Sequence, residues 1–135
     1  MRNRVLIEKS NFHVDETNKV VVCTLECDMQ LYKHPAWNVI DYRMFKSIPY
    51  VSSGGKFTIK AVARCLATDT FSAETGKRIA ESRAKAKMFN ISSKVYKLCS
   101  DALTKLAKEC SNSSVACEQA MMIENNHVFE LIDKV

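Results

Sequence analysis

Asp69–Asn90 reads DTFSAETGKRIAESRAKAKMFN, and the fold turns on this stretch. It carries the chain from a strand end, past an aromatic at Phe71 and a glycine at Gly76, into a strongly basic helix. Ser72 with Glu74 close behind it predicts the helix start, because the hydroxyl can accept one of the N–H groups that the first turn leaves unpaired. From Lys77 to Lys108 there are nine Lys or Arg against Glu81 and Asp101, a net of +7. The whole chain carries +5, so the rest sums to −2 and the positive charge belongs to one element. A helix N-terminus followed by a cationic stripe attracts phosphate. The partner implied is an anion: a nucleotide, a nucleic acid or an acidic protein.

Upstream of this stretch the sequence reads as β structure. Val21, Cys23, Leu25, Cys27, Met29 and Leu31 alternate with Thr24, Glu26, Asp28 and Gln30, the period of a strand with one buried face. Val5–Ile7 precedes it across the polar stretch His13–Lys19, which suggests an antiparallel hairpin. Lys56–Cys65 repeats the alternation, with Phe57, Ile59, Ala61, Ala63 and Cys65 on one face, and Ser52–Gly55 is the turn that introduces it. Between them Pro35–Val51 is aromatic and irregular, and one short strand is expected around Val39–Phe45.

Downstream the reading is helical. Ala80, Ala84, Met88, Ile91, Val95, Leu98, Ala102 and Leu106 step by three or four residues, a single apolar stripe. Ile79, Phe89, Tyr96 and Leu103 form a second stripe, so the helix has two sides to bury, and a homo-oligomer follows, most simply a twofold dimer. Ser111–Ser114 is expected to end this helix and to cap the next, which would occupy Val115–Val135 with a weak point at Asn125–Asn126. The expected architecture is α+β and a single domain over 1–135: an antiparallel sheet of about four or five strands in 1–68, a long helix over 72–110 and a second helix over 114–134. A helix of about 35 residues spans roughly 50 Å, enough to project past its own sheet towards another chain.

Composition excludes several classes. With 135 residues, 47 % of them hydrophobic, and only three Gly and two Pro, the chain can build a core. No segment approaches the roughly 20 apolar residues of a membrane span, and MRNRVLIEKSNF does not read as a signal peptide, so a soluble, cytoplasmic protein is expected. The six cysteines include no C-x-x-C pair and no His at zinc-finger spacing. Cys23 and Cys27 on one strand face lie about 13 Å apart, too far for a disulfide. Free thiols are therefore expected, with no structural metal and no cofactor. No G-x-S-x-G, P-loop, H-E-x-x-H or glycine-rich dinucleotide turn is present, and nothing gathers His13, His34 or His127 with a Cys or a carboxylate. The chain is read as a binder rather than an enzyme.

The candidate binding residues follow from chemistry. Arg83, Lys87, Asn90, Lys94 and Lys97 recur at helical spacing on a flank offset from the apolar stripe. A merely solvated face would interleave both signs to gain i,i+4 pairs. Here Glu81 can pair with Lys77 or Lys85, whereas Arg83, Lys87 and Lys94 have no acidic neighbour. Phe71 fits either of two roles, a core plug or a platform on which a base stacks. Arg78 with Arg83 and Lys87 would meet phosphates, Asn90 or Asp69 would take ribose hydroxyls or a base edge, and Arg64 on the last strand is a further phosphate ligand. Trp37, Asn38, Asp41 and Tyr42 form another aromatic and polar cluster, for which core packing is the simpler role.

The run Val62–Phe71, V-A-R-C-L-A-T-D-T-F, followed by Glu74–Lys87, E-T-G-K-R-I-A-E-S-R-A-K-A-K, resembles small phage-encoded proteins, and most of all the Thoeris anti-defence proteins of the first type. The likeness covers about Phe57–Asn90, a quarter of the chain, with general agreement in length and order of elements elsewhere. It is not a catalytic signature, and the family's pocket residues are not matched one by one. The resemblance implies a nucleotide sponge in the host cytoplasm. Such a protein is a homo-oligomer, a dimer or a trimer of dimers, that holds the cyclic ADP-ribose signal of a host TIR enzyme without degrading it. Some members of that family also hold cyclic oligonucleotides at a separate site. A small basic nucleic-acid-binding phage protein is the second reading. The net charge of +5 is modest for a duplex binder, and no repeated aromatics punctuate the basic stripe.

Overall fold

In the computed structural model the described residues are 5–39, 48, 51–52, 54–66 and 70–134. Three antiparallel strands, β1 (Leu6–Asp15), β2 (Val20–Asp28) and β3 (Lys56–Arg64), form a sheet in the order β1-β2-β3. One helix, α1 (Ala73–Asp133), follows. The chain divides into two compact units, Met1–Cys99 and Ser100–Val135. The class is α+β, as the periodicity implies.

β2 is the central strand and carries the clearest alternation. Val21, Cys23, Leu25 and Cys27 are buried and pair with Ala63, Ala61, Ile59 and Phe57 of β3. Each cross-strand pair lies on the core face, so register and burial pattern select the same pairing. β1 is longer than Val5–Ile7 suggests and reaches Asp15. Its sequence hides this because it is an edge strand whose residues are mostly exposed, so no alternation is imposed on it. The β1–β2 turn is fixed by Asp15, whose carboxylate accepts hydrogen bonds from the Asn18 backbone N–H (3.1 Å) and side-chain amide (2.8 Å). Those bonds hold the Asp15 carboxyl below the usual carboxylate range, the side-chain bond more than the backbone one. A register shift between Ile7 and Lys9 and the charges beside it blunt the β1 edge.

Within the first unit the helix segment up to Cys99 completes the core. Ala80, Ala84, Met88, Val95 and Cys99 are buried with the β2 and β3 residues in one cluster, and Ser92 is buried on the same helix face. Residue size rises along this line from Gly76 to Met88. A Cβ on Gly76 would lie 2.6 Å from Val21 Cγ2, so only glycine permits the backbone approach at the first turn. Two alanines follow, and then Met88 fills a wider gap. At the start of β3, Gly55 holds φ +90° and donates its N–H to the Ser52 carbonyl at 2.9 Å, while its own carbonyl accepts from Met29 N–H at 3.0 Å. Cys23, Cys27 and Cys99 are free and buried, and burial pushes the Cys27 thiol up to about 11, with Glu8 adding to the shift.

Two expectations need correction or bounding. A second helix beginning after Ser111–Ser114 is not what forms, because α1 runs unbroken through Ser111, Asn112, Ser113 and Ser114, and through Asn125 and Asn126. Ser and Asn each cost only about 0.5–0.7 kcal/mol relative to Ala in a helix, whereas a stop needs Pro or a C-terminal Gly. From Ala73 to Asp133 there is no Pro, and the one Gly is Gly76. The sheet has three strands among the described residues rather than four or five. Val39 ends a 3₁₀ turn (Trp37–Val39), and the rest of the strand expected around Val39–Phe45 lies outside the described residues. Among the described residues no helix is long and apolar enough to cross a membrane.

Candidate functional site

The link from β3 to α1 is where the candidate residues gather. The strand ends at Arg64 and the helix begins at Ala73, with Ser72 as the cap: its Oγ accepts from Thr75 N–H at 3.3 Å and its carbonyl accepts from Gly76 N–H at 2.9 Å. This cap is the one the sequence announces. Between strand end and first helical turn lies a cavity of about 300 Å³ lined by Ala63, Arg64, Cys65, Leu66, Thr70, Phe71, Ser72, Thr75, Gly76 and Ile79. Its wall is mainly apolar, with the hydroxyls of Thr70, Ser72 and Thr75 at the helix start. That combination suits a flat, mostly apolar ring with a polar edge. The volume is at the small end of ligand pockets, about the size for one nucleoside-like moiety.

Phe71 is half-buried, packs against the core cluster and also lines the cavity. The two roles considered for it, core plug and platform, are thus not exclusive. Arg64 also borders the cavity, and as the neighbour of Ala63 in a pleated strand it faces the opposite side of the sheet, which leaves it at the rim. Asp69 lies outside the described residues.

The helix cations are arranged differently. Arg83 donates from Nη1 to the Val62 carbonyl at 2.8 Å, and Lys87 donates from Nζ to the Lys60 carbonyl at 3.0 Å. Both acceptors are on β3, which among the described residues pairs only with β2, so two of the basic residues cap carbonyls on the strand's outer side. This structural task was not legible in the helical spacing alone. Neither cation is used up, since guanidinium has five N–H donors and ammonium three. The carbonyls of Lys60 and Val62 are two residues apart, about 7 Å along a strand. Arg64 follows two residues further on but faces the other side of the sheet, so Lys87 and Arg83 are the two cations set along the β3 edge and Arg64 stands apart at the cavity rim.

The remaining basic residues divide. Lys85 pairs with Glu81 at 3.2 Å, and Lys77 sits over the Phe12 ring with its Nζ 5.9 Å from the centroid. Arg78 and Asn90 are exposed and line no part of the cavity. The structure therefore brings Phe71 and Arg64 to the cavity, sets Arg83 and Lys87 on the adjoining strand edge, and leaves Arg78 and Asn90 on the helix surface. Sequence reasoning passed over Thr70, Thr75 and Ile79. The signal available was the cluster of hydroxyls at Thr70, Ser72 and Thr75 around a predicted helix start. In the second aromatic cluster Trp37 is half-buried and packs against the core, as the simpler role requires, while Asn38 is exposed and Asp41 and Tyr42 lie outside the described residues.

No protein-family model, curated protein or solved structure matches the chain.

Proposed function

We propose that the chain is a phage anti-defence binding protein that sequesters a cyclic nucleotide signal of the cyclic ADP-ribose type, and does so without cleaving it. The observation that carries the reading is the cavity at the β3–α1 link, which Phe71 lines together with Thr70, Ser72 and Thr75 of a capped helix start and with Arg64 at the rim. A nucleobase stacks on Phe71, and its polar edge or a ribose meets Thr70, Ser72 and Thr75. The phosphates lie towards the β3 edge, where Arg83 and Lys87 add charge-assisted hydrogen bonds through their remaining donors. Arg78 and Asn90 stand on the helix surface, outside the cavity. The likeness of Val62–Phe71 and Glu74–Lys87 to the Thoeris anti-defence proteins supports the choice of ligand, and cyclic oligonucleotides are the second ligand class it suggests. The protein works as a homo-oligomer, a dimer or a trimer of dimers, in the host cytoplasm.

The test is mass spectrometry of small molecules released by heat from protein purified out of cells that express a TIR synthase. The expected result is an intact cyclic ADP-ribose derivative. A protein that releases no nucleotide contradicts the reading, and a cleaved product makes it an enzyme.

The alternative, a small nucleic-acid-binding protein, is favoured by one observation: Lys87 and Arg83 engage β3 carbonyls about 7 Å apart, a separation suited to two neighbouring phosphates of an extended chain. It ranks second because the cavity with its aromatic wall has no task in that reading.

A further inference from the structure

In the unit Ser100–Val135 none of the described residues is buried, and its exposed apolar side chains are concentrated on a broad side of the helix, with Ile123 on the other. Met121 is 56 % exposed, Val128 52 % and Leu131 52 %, and Met122 and Phe129 flank them one position round the helix. From Ser100 to Leu131 one seam steps alternately by three and four residues and includes Leu103, Cys110, Met121 and Val128. The opposite side carries Lys105, Asn112, Gln119 and Asn126. A sustained three–four step with a polar back is the pattern of a helix that packs along another helix.

We propose that this segment pairs with the same segment of a second copy, antiparallel, in the register that sets Ser114 opposite Cys117. The proposal rests on the oligomeric part of the reading above and not on its ligand.

Three features of the sequence favour this orientation over the parallel one. The first is size. In this register Leu131 lies over Ser100, Met121 over Cys110 and Val128 over Leu103, so that large side chains mostly meet small ones, whereas an in-register parallel pair sets Leu131 on Leu131 and Ser100 on Ser100. The second is the one carboxylate in the seam. Glu124 falls opposite Ala107, beside the partner's Lys108, whereas a parallel pair would place two Glu124 carboxylates against each other. The third is charge along the helix. Residues 101–108 contain Lys105 and Lys108 against Asp101, a net of +1, and residues 109–134 contain five carboxylates against Lys134, a net of −4. Antiparallel pairing sets the acidic end on the basic one.

The area suffices. The seam is about 48 Å long at 1.5 Å per residue, and covering half the surface of a helix about 10–12 Å across buries on the order of 800 Å² per chain, the size of a standard interface.

The cysteines supply the test. Cys110 faces Met121 and Cys117 faces Ser114, so in the native chain no thiol of this seam meets its own copy. Light scattering at micromolar concentration should give a mass of at least a dimer. Mild oxidation of the native protein should link few chains. Cys117→Ser/Met121→Cys and Cys110→Ser/Ser114→Cys should each become a covalent dimer. A monomeric mass for the native chain overturns both the oligomeric reading and this pairing. A native dimer that links readily through Cys110 and Cys117 overturns the antiparallel register alone, as does a dimer in which both variants stay unlinked. None of these readouts involves the nucleotide, so failure here and failure of the ligand reading are separable.

Discussion

Gly76→Ala is the perturbation that most directly probes how the helix is seated on the sheet. The added Cβ would come to 2.6 Å from Val21 Cγ2 and 3.4 Å from Val21 Cβ. Val21 is fully buried on the central strand, and a β-branched side chain has one strongly preferred rotamer, so it has little room to give. Overpacking of this kind costs about 1–3 kcal/mol, against which the better helix propensity of Ala offers up to about 1 kcal/mol. The expected net effect is a loss of about 1–2 kcal/mol. Urea denaturation followed through the single tryptophan, Trp37, at a fixed protein concentration should show a midpoint lower by roughly 0.5–1 M, given about 1–3 kcal/mol per M. The cycle with Val21→Ala isolates the contact. Val21→Ala alone opens a cavity and destabilises, but in its presence the new methyl at position 76 fills space instead of clashing, and the two should couple favourably by at least about 1 kcal/mol. A Gly76→Ala chain as stable as the native one, together with additive effects in the double variant, would refute the close approach.

Ser92 is buried, and among the described residues its Oγ has no hydrogen-bond partner, so Ser92→Ala should be neutral or stabilise by up to about 1 kcal/mol, measured by the same denaturation. Ser72→Ala removes the cap on Thr75 N–H and should cost about 1 kcal/mol. The Cys27 thiol, raised from 9.0 to about 11 by burial, is held neutral by the fold; the stability this contributes is complete below pH 9 and is lost as pH rises towards 11, and Cys27→Ala should reduce the loss between denaturation curves at pH 8 and pH 10.5, the remainder coming in part from Cys23 and Cys99, which burial raises too. A protein making about six phosphate contacts loses roughly a thousandfold in affinity between 50 and 200 mM salt, and we expect no mobility shift of generic DNA or RNA at physiological salt; a clear shift there would promote the nucleic-acid reading.

What the sequence revealed and what it hid follow from how strongly burial shapes each segment. β2 and β3 were legible because one face of each is buried, and period-2 alternation follows directly from that. The start of α1 was legible because Ser72 is a cap with a chemical signature. β1 was read too short because an exposed edge strand carries no alternation, only pairing partners on β2. The end of the helix was misread because Ser111–Ser114 resembles a terminus, yet it lacks the Pro or Gly that would enforce one. At the site, the aromatic and the helix start could be found from residue type. The engagement of Arg83 and Lys87 with the β3 edge could not, because it joins residues 21 and 27 positions apart and depends on how helix and strand are placed.

The central claim is that the chain binds a nucleotide signal through the cavity at the β3–α1 link, and calorimetric titration with a cyclic ADP-ribose derivative tests it most directly. Phe71→Leu is the informative variant, because it keeps an apolar side chain against the core while removing the ring. The native chain should bind the compound and return it chemically unchanged, and Phe71→Leu, with a native denaturation midpoint, should bind about 5- to 150-fold more weakly, the equivalent of about 1–3 kcal/mol for a stacked base. No heat of binding to the native chain, or equal affinity in the two proteins, would contradict the account.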